Sequence, residues 1–305
     1  MEAFPKISVQ IPTFNQELFI KDALRSALEQ RYENMEVIIA DDNITNETTV
    51  TARDFLNDSR VRYFKNENNL GRIDNYHKSL YDYCNGDWAI NLDGDDYFTN
   101  DNFLKEALDL ISRNEKENIT VFQANHNLDK IKKIFKDHKV ISPDAVLIDG
   151  PTYFLNYYKV QRFRHCATIY NRKEALKLNF YSFDCLSTDF NSIAKLFLKG
   201  NVIISGKTVA HWRQHSCNES QTLDEKNLQK ERLSIEQLSQ FARPYFNEHQ
   251  IKKWEKKMKA YIITLYIELL TKKPMTVRSL KYTVRHFSYD ITYFKQLIRL
   301  IIRYS

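Results

Sequence analysis

The first 110 or so residues repeat a strand-then-helix pattern four times, and that alternation restricts the fold more than any other feature. Residues 7–11 (Ile-Ser-Val-Gln-Ile) read as a short strand ended by Pro12. Residues 17–29 then place Leu18, Phe19, Ala23, Leu24 and Ala27 at helical spacing. Residues 36–40 form a buried-type strand closed by Asp41-Asp42-Asn43, followed by a helix over 47–57 and a strand over 61–64. The turn Asn68-Asn69-Leu70-Gly71 precedes a helix to about Cys84; Gly86 restarts the chain, and residues 88–92 make a fourth strand. Asp93-Gly94-Asp95-Asp96 follows, ahead of a helix over about 101–113. Strands alternating with helices predict an α/β domain on a parallel, doubly wound sheet. Such sheets bind ligands beyond the carboxyl ends of their strands. Pro12-Thr13, Asp41-Asp42 and Asp93 to Asp96 all stand at such ends.

Beyond this region the pattern is mixed. Residues 119–122 and 167–170 read as strands, 171–178 and 188–199 as helices, and 202–204 as a short strand. From 222 onward only helices are predicted, with Pro274 breaking an apolar segment that holds Leu265, Ile267, Leu269 and Leu270. With 19 Phe and 18 Tyr there is core material enough to exclude disorder, and 6 Gly with 6 Pro exclude collagen-like and low-complexity classes. Cys84, Cys166, Cys185 and Cys217 show no CxxC spacing, so reduced thiols in a cytoplasmic protein are expected. No apolar run reaches the length of a spanning helix, and the first residues lack the pattern of a signal peptide.

Charge is divided unevenly. The chain carries a formal +6, yet residues 251–305 hold 13 Lys and Arg against Glu255, Glu268 and Asp290. The rest is slightly acidic, so the basic character belongs to the tail, which calls for an anionic partner. In the last stretch Lys295, Arg299 and Arg303 recur every four residues beside Ile291, Phe294, Ile298 and Ile301. That is the pattern of a basic amphipathic helix on an anionic membrane. A helical bundle packed on the body or on a second subunit is the alternative, which leaves a homo-oligomer open. Nucleic acid is not expected as a partner, because the body is acidic and lacks a binding motif.

Asp93, Asp95 and Asp96 within four residues repel one another unless a cation sits among them. Hard oxygen donors at that spacing suit Mg2+ or Mn2+, and an ion so held commonly also binds a diphosphate. A solvated acidic turn before the helix near Asn100 is the competing reading. Neither a Gly-x-x-x-x-Gly-Lys loop nor a Gly-x-Gly-x-x-Gly turn follows the first strand. Phosphates would therefore need metal and scattered basic groups such as Arg72.

These segments resemble a known family. Residues 7–15 (Ile-Ser-Val-Gln-Ile-Pro-Thr-Phe-Asn) are similar to the opening strand and turn of family 2 glycosyltransferases. Residues 36–43 resemble their second strand with its paired aspartates, Asn69-Leu70-Gly71 with Asn75 their N-x-G turn, and Leu92-Asp93-Gly94-Asp95-Asp96 their DxD motif. The resemblance covers about residues 5–115 and thins out over 119–220. It implies a GT-A fold: an α/β, doubly wound, mixed and mostly parallel sheet, with a helical C-terminal extension. The domain plan it suggests is a catalytic domain over 1–220, with a nucleotide-sugar half at 1–115 and an acceptor half at 116–220, then a basic helical region at 221–305.

The family moves a sugar from a nucleotide-sugar. Carried over, the resemblance puts Pro12 and Thr13 in the base pocket, Asp42 on the base (a uracil) with Asp41 beside it, and Arg72 near the donor. Asp93 would face the ribose and Asp95 the metal, with Asp96 a second ligand. Ser187-Thr188-Asp189-Phe190 is similar to the family's acidic pair before a helix, with Thr188 where Glu is common. Asp189 would then be the base; its alternative is a first-turn helix carboxylate. His211-Trp212-Arg213-Gln214-His215 resembles the family's aromatic-Arg-x-His element. It implies Arg213 near phosphate and His215 on the metal, with His211 the next choice. The implied activity is metal-dependent (Mn2+ or Mg2+), inverting transfer of a hexosyl or N-acetylhexosaminyl group from a UDP-sugar to a glycan acceptor. The acceptor would be lipid-linked, as in bacterial surface polysaccharide assembly, with the enzyme at the inner face of the cell membrane. A nucleotidyltransferase acting on sugar phosphates, or a non-catalytic anion-binding protein using the tail, are the alternatives.

Overall fold

A computed structural model describes residues 4–160, 163–215, 218–219 and 224–271. They fall into two compact units: Met1–Phe183 with Thr188–Gln214, and Asp184–Ser187 with the described residues from His215 onward. Lys295, Arg299, Arg303 and the apolar face beside them lie outside the described residues.

In the first unit the strands are β1 (Ile7–Thr13), β2 (Met35–Asp41), β3 (Val61–Lys65), β4 (Trp88–Asn91), β5 (Tyr97–Phe98), β6 (Ile119–Gln123), β7 (Lys139–Ser142), β8 (Ala145–Ile148), β9 (Thr168–Asn171), β10 (Asn201–Ser205) and β11 (Ala210–His211). The helices between them are α1 (Ile20–Leu28), α2 (Glu47–Ala52), α3 (Arg72–Lys78), α4 (Phe103–Arg113), α5 (Leu128–Ile134), α6 (Gly150–Val160), α7 (Arg172–Leu176) and α8 (Thr188–Phe197). Nine strands form one sheet in the order β3-β2-β1-β4-β9-β6-β10-β8-β7, while β5 and β11 pair separately. Only β9 and β8 run against the other seven strands of the large sheet. The expected mixed, mostly parallel, doubly wound architecture is therefore present.

The helices form where the apolar spacing places them. In α1 the buried residues are Ile20, Ala23, Leu24 and Ala27, and in α4 they are Phe103, Leu104, Ala107, Leu108 and Ile111. Each set is a single stripe that closes over the all-buried strands β1 and β2 and their neighbours. One expectation changes: β1 does not end at Pro12 but continues in register to Thr13, with Pro12 opposite Ala40. The ladder to β4 has already stopped at Gln10 and Asn91, and the Pro12 carbonyl accepts from Gly94 on that side. The missing proline N–H faces the finished side, so no ladder bond is lost.

In the second unit, α9 (Glu225–Ala242) and α10 (Glu248–Thr271) form a hairpin. Leu228, Ile235 and Leu238 of α9 and Ile251, Trp254 and Met258 of α10 are buried. Lys259 Nζ bridges Glu236 and Glu255, at 2.6 Å each. Among the described residues no helix is long and apolar enough to cross a membrane.

Candidate active site

Parallel pairing in register delivers Thr13 and Asp41 side by side at the ends of β1 and β2. The next residue, Asp42, donates its N–H to the Thr13 carbonyl at 2.9 Å. The Asp42 carboxylate organises the turn after β3. Oδ1 accepts from Leu70 N–H (2.8 Å) and the Asn66 amide (3.0 Å), and Oδ2 from Gly71 N–H (2.8 Å). Gly71 sits at φ +82°, where a side chain is disfavoured, so glycine lets both N–H groups turn toward one carboxylate. Two motifs that are separate in sequence are thus one structure. Asn75 joins it by donating to the Ala40 carbonyl at 2.9 Å. Asp41 accepts from Tyr63 O–H (2.6 Å) and Asn43 N–H (3.0 Å), while burial pushes its carboxyl above the usual range.

Beside this pair, Thr13 Oγ1, Gln16 Oε1 and Asn43 Nδ2 are buried without a hydrogen-bond partner. Thr13 Oγ1 and Gln16 Oε1 both face Gly94, where a Cβ would stand 2.9 and 2.6 Å from them. Buried polar atoms left unpaired are rare and call for an explanation such as a ligand or water.

The acidic loop leaves β4 where its ladder ends. Asp93 Oδ1 accepts from Tyr76 O–H (2.5 Å) and the Asn91 amide (2.7 Å). Asp96 Oδ1 accepts the Arg213 N–H at 2.9 Å, which ties the loop to the segment after β11. Burial, and then the Asp93 charge, pushes the Asp96 carboxyl up to about 8. Burial raises Asp93 as well. Asp95 is buried beside them. The Arg213 guanidinium bonds Asp22 Oδ2 at 2.7 Å and lies over the rings of Phe19 and Tyr97. The His211 ring packs against Tyr97, with centroids 5.1 Å apart. His215 belongs to the second unit, where its N–H is accepted by Asn218 Oδ1.

Among the described residues no three His, Cys, Asp or Glu side chains converge as a ready-made metal cage. Mg2+ is commonly held by one or two carboxylates and phosphate oxygens rather than by such a cage. Asp95 and Asp96 offer hard oxygen donors, and a cation offsets the carboxylate crowding that adds to burial in raising Asp96, so the residues fit a divalent ion shared with a diphosphate.

The third side of the site comes from the reversed strand. Because β9 runs antiparallel between β4 and β6, its beginning lies at their carboxyl ends. The turn His165–Ala167 that leads into β9 therefore reaches the acidic loop. Asp189 stands in the first turn of α8. His165 Nδ1 lies 3.8 Å from Asp189 Oδ2, with side chains 7% and 22% exposed. Burial pushes Asp189 upward, with Arg72 acting against it, and burial pushes His165 down to about 4, so the ring is neutral at pH 7. The Arg72 guanidinium lies 5.4 Å over the Tyr76 ring, whose centroid is 5.7 Å from that of His165. Asp93, Tyr76, Arg72, His165 and Asp189 are one contiguous cluster. Three of these five were named from sequence. Tyr76 is indistinguishable there from a core residue of its helix, and His165 belongs to no motif.

The profile described as Glycosyl transferase family 2 matches residues 8–197, which carry Thr13, Asp41, Asp42, Arg72, Asp93 to Asp96 and Asp189. The GalNAc(5)-diNAcBac-PP-undecaprenol beta-1,3-glucosyltransferase of Campylobacter jejuni subsp. jejuni serotype O:2 is 26% identical over 191 residues, 58% of this chain and 60% of that protein. The Escherichia coli UDP-Glc:alpha-D-GlcNAc-diphosphoundecaprenol beta-1,3-glucosyltransferase WfgD is 28% identical over 123 residues, 40% of this chain and 46% of that protein. The chain thus spans about half the length of these curated relatives. Among solved structures, S. aureus TarS 1-349 in complex with UDP-GlcNAc aligns with a TM-score of 0.59 at 15% identity, over 97% of this chain and 79% of that one. The mannosyltransferase PcManGT from Pyrobaculum calidifontis, in complex with GDP-Man and Mn2+, aligns with a TM-score of 0.58 at 12% identity, over 99% and 87%. At those identities the likeness is one of fold, the GT-A arrangement, and with the profile spanning well over half of the sequence the chain belongs to glycosyl transferase family 2.

Proposed function

We propose that this chain is an inverting, metal-dependent glycosyltransferase that moves a hexosyl or N-acetylhexosaminyl group from a UDP-sugar to a hydroxyl of a lipid-linked glycan in bacterial envelope polysaccharide synthesis. The observation that carries this reading is the placement of Arg72, whose charge acts on both Asp93 and Asp189. A group that leaves as a diphosphate beside Arg72 and the acidic loop would depart on the side where charge can be held. The acceptor hydroxyl would approach Asp189.

On this reading Thr13 Oγ1 and Asn43 Nδ2 supply free polar atoms for the base, with Pro12, Asp41 and Asp42 shaping its pocket. Asp93 receives the ribose and Arg72 offsets charge growing on the leaving group. Asp95 and Asp96 would hold Mn2+ or Mg2+, which would supply electrostatic stabilisation of the departing diphosphate. Arg213 braces the acidic loop through its N–H and borders the phosphate region. Asp189 takes the proton from the acceptor hydroxyl as it attacks. A single base opposite the leaving group gives inversion at the anomeric carbon.

The lipid-linked acceptor is supported by the undecaprenyl-linked substrates in the names of the two bacterial relatives. Peripheral attachment at the inner membrane face rests on the basic residues beyond 271. The test is a panel of UDP-, GDP- and dTDP-sugars with Mn2+, Mg2+ or EDTA, read by thermal shift and by release of nucleoside diphosphate. A metal-dependent shift with UDP-sugars, kept in Asp189→Asn while turnover is lost, supports the reading. No shift with any donor overturns it, and near-normal turnover of Asp189→Asn removes Asp189 as the base.

A further inference from the structure

We propose that His165 is a positioning residue for Asp189: its Nδ1–H donates to the Asp189 carboxylate, and a relay through Gln10, Tyr170 and Tyr181 holds the proton on that nitrogen. The consequence for turnover rests on the reading of Asp189 as the base; the order of protons along the relay does not.

The direction of the relay is set at its far end. Gln10 lies within the fully buried β1, and its Nε2 donates to the Tyr170 hydroxyl at 2.7 Å. The reverse placement of that amide would strand two buried N–H donors, the costlier kind of orphan. Tyr170 therefore accepts from Gln10 and turns its own O–H to the Tyr181 oxygen, 3.2 Å away. Tyr181 passes its O–H to His165 Nε2 at 3.0 Å. A ring nitrogen that accepts is unprotonated, so the neutral imidazole carries its proton on Nδ1. Nδ1 has no hydrogen-bond partner, and the atom it approaches is Asp189 Oδ2, at 3.8 Å. That separation is one small movement from a hydrogen bond, and such contacts are commonly long before substrate binds.

The relay is held stiffly. Tyr181 has φ +57°, a left-handed conformation that costs a bulky residue energy. Its N–H is fixed by Ser192 Oγ at 2.8 Å, and Ser192 sits on α8, the helix that carries Asp189. Backbone strain is thus retained where it sets the Tyr181 hydroxyl against His165. Arg72 and Tyr76 from α3, together with Tyr181, are the other titratable groups facing Asp189, whose carboxylate also accepts from the backbone N–H of Phe190 and from its own; Asp93 is the carboxylate that acts on His165. The backbone N–H groups hold the carboxylate from the helix side and Arg72 attracts it, whereas the neutral His165 N–H would orient Oδ2, the oxygen it faces, and add no charge. A carboxylate that gains such a donor is also held ionised more easily.

The experiment uses the full chain with 15N-labelled histidine and 13C-labelled aspartate, with His165 and Asp189 assigned from His165→Phe and Asp189→Asn. The expected results are an Nδ1–H tautomer for His165 and appearance of the Nε2–H form in Tyr181→Phe. The Asp189 titration midpoint should rise by about one pH unit in His165→Phe and return in His165→Asn, whose amide nitrogen occupies the place of Nδ1. With any UDP-sugar that the wild type turns over, His165→Phe should lower kcat about tenfold or more, leave the donor KM unchanged and be largely restored in His165→Asn. An Nε2–H tautomer in the wild type, or an Asp189 midpoint equal in wild type and His165→Phe, overturns the proposal. A wild type that turns over no sugar donor rejects the transferase reading instead, while tautomer and titration still decide the relay.

Discussion

Asp42 accepts three hydrogen bonds on a buried carboxylate, from Leu70, Gly71 and Asn66. Removing an acceptor from buried donors costs more than one net hydrogen bond, so Asp42→Ala should lose about 3 kcal/mol of stability in urea unfolding and abolish the donor-induced thermal shift. Glu36 is the corresponding case away from the site. Burial works against its charge, but bonds from Lys6 (2.8 Å), Ser8 (2.6 Å) and the Asn85 N–H (2.5 Å) outweigh it and hold the carboxyl below its usual range. A lowered folded pKa gives stability that is complete above the unfolded value and lost as pH falls through the folded one. The melting temperature of the wild type should therefore drop between about pH 5 and pH 3, and Glu36→Gln should be lower at pH 7 and flatter across that window. At this scale the sequence was legible where a side chain's work is local to a turn. The Asp42, Gly71 and Asp93 positions could be named because strand ends and turns have recognisable chemistry. Tyr76 and His165 could not, since a buried tyrosine in a helix and a single histidine look the same whether or not they face a site.

Gly86 and Gly71 separate two ways an element depends on glycine. A Cβ at Gly86 would stand 2.6 Å from Ser8 N and 2.6 Å from Trp88 O, both backbone atoms. Gly86→Ala must push β1 from the start of β4 and should lower stability by about 3 kcal/mol or more. At Gly71 nothing lies within 4 Å of a Cβ, and the cost is the φ of +82° alone. Gly71→Ala should lose about 1 kcal/mol, measured as a small fall in melting temperature, and weaken donor binding by loosening the turn on Asp42. Among elements, α1, α4 and strands β1 to β4 were readable from period. The hairpin of β7 and β8 was not read from sequence: it is two four-residue strands around Pro143-Asp144, too short for alternation to register. The helix predicted over 47–57 is α2 followed by a 3-10 turn at Arg53–Asn57, a change of winding that apolar spacing does not report.

For the whole molecule, the uneven charge leads to a prediction that the described residues do not test. If the basic end of the chain attaches to anionic lipid, the triple variant Lys295→Glu, Arg299→Glu, Arg303→Glu should bind phosphatidylglycerol vesicles at least about a hundredfold less tightly than wild type, at roughly 1 kcal/mol per charge. Wild-type binding should also weaken as salt rises. Equal binding by the variant would leave the basic end to a protein contact instead.

What the sequence determined by itself is the first half of the large sheet: doubly wound strands with Thr13, Asp41, Asp42 and Asp93 at their carboxyl ends. Hydrophobic period and turn chemistry are properties of short segments, and a parallel sheet puts all its carboxyl ends on one edge. Only the tertiary structure decided that β9 enters between β4 and β6 in the opposite sense, bringing His165 to that edge and within 3.8 Å of Asp189 on α8. A strand's direction among its neighbours is set by packing and by the connections between distant segments. Nothing in the spacing of residues 163–171 distinguishes the two senses, and the site is completed only in one of them.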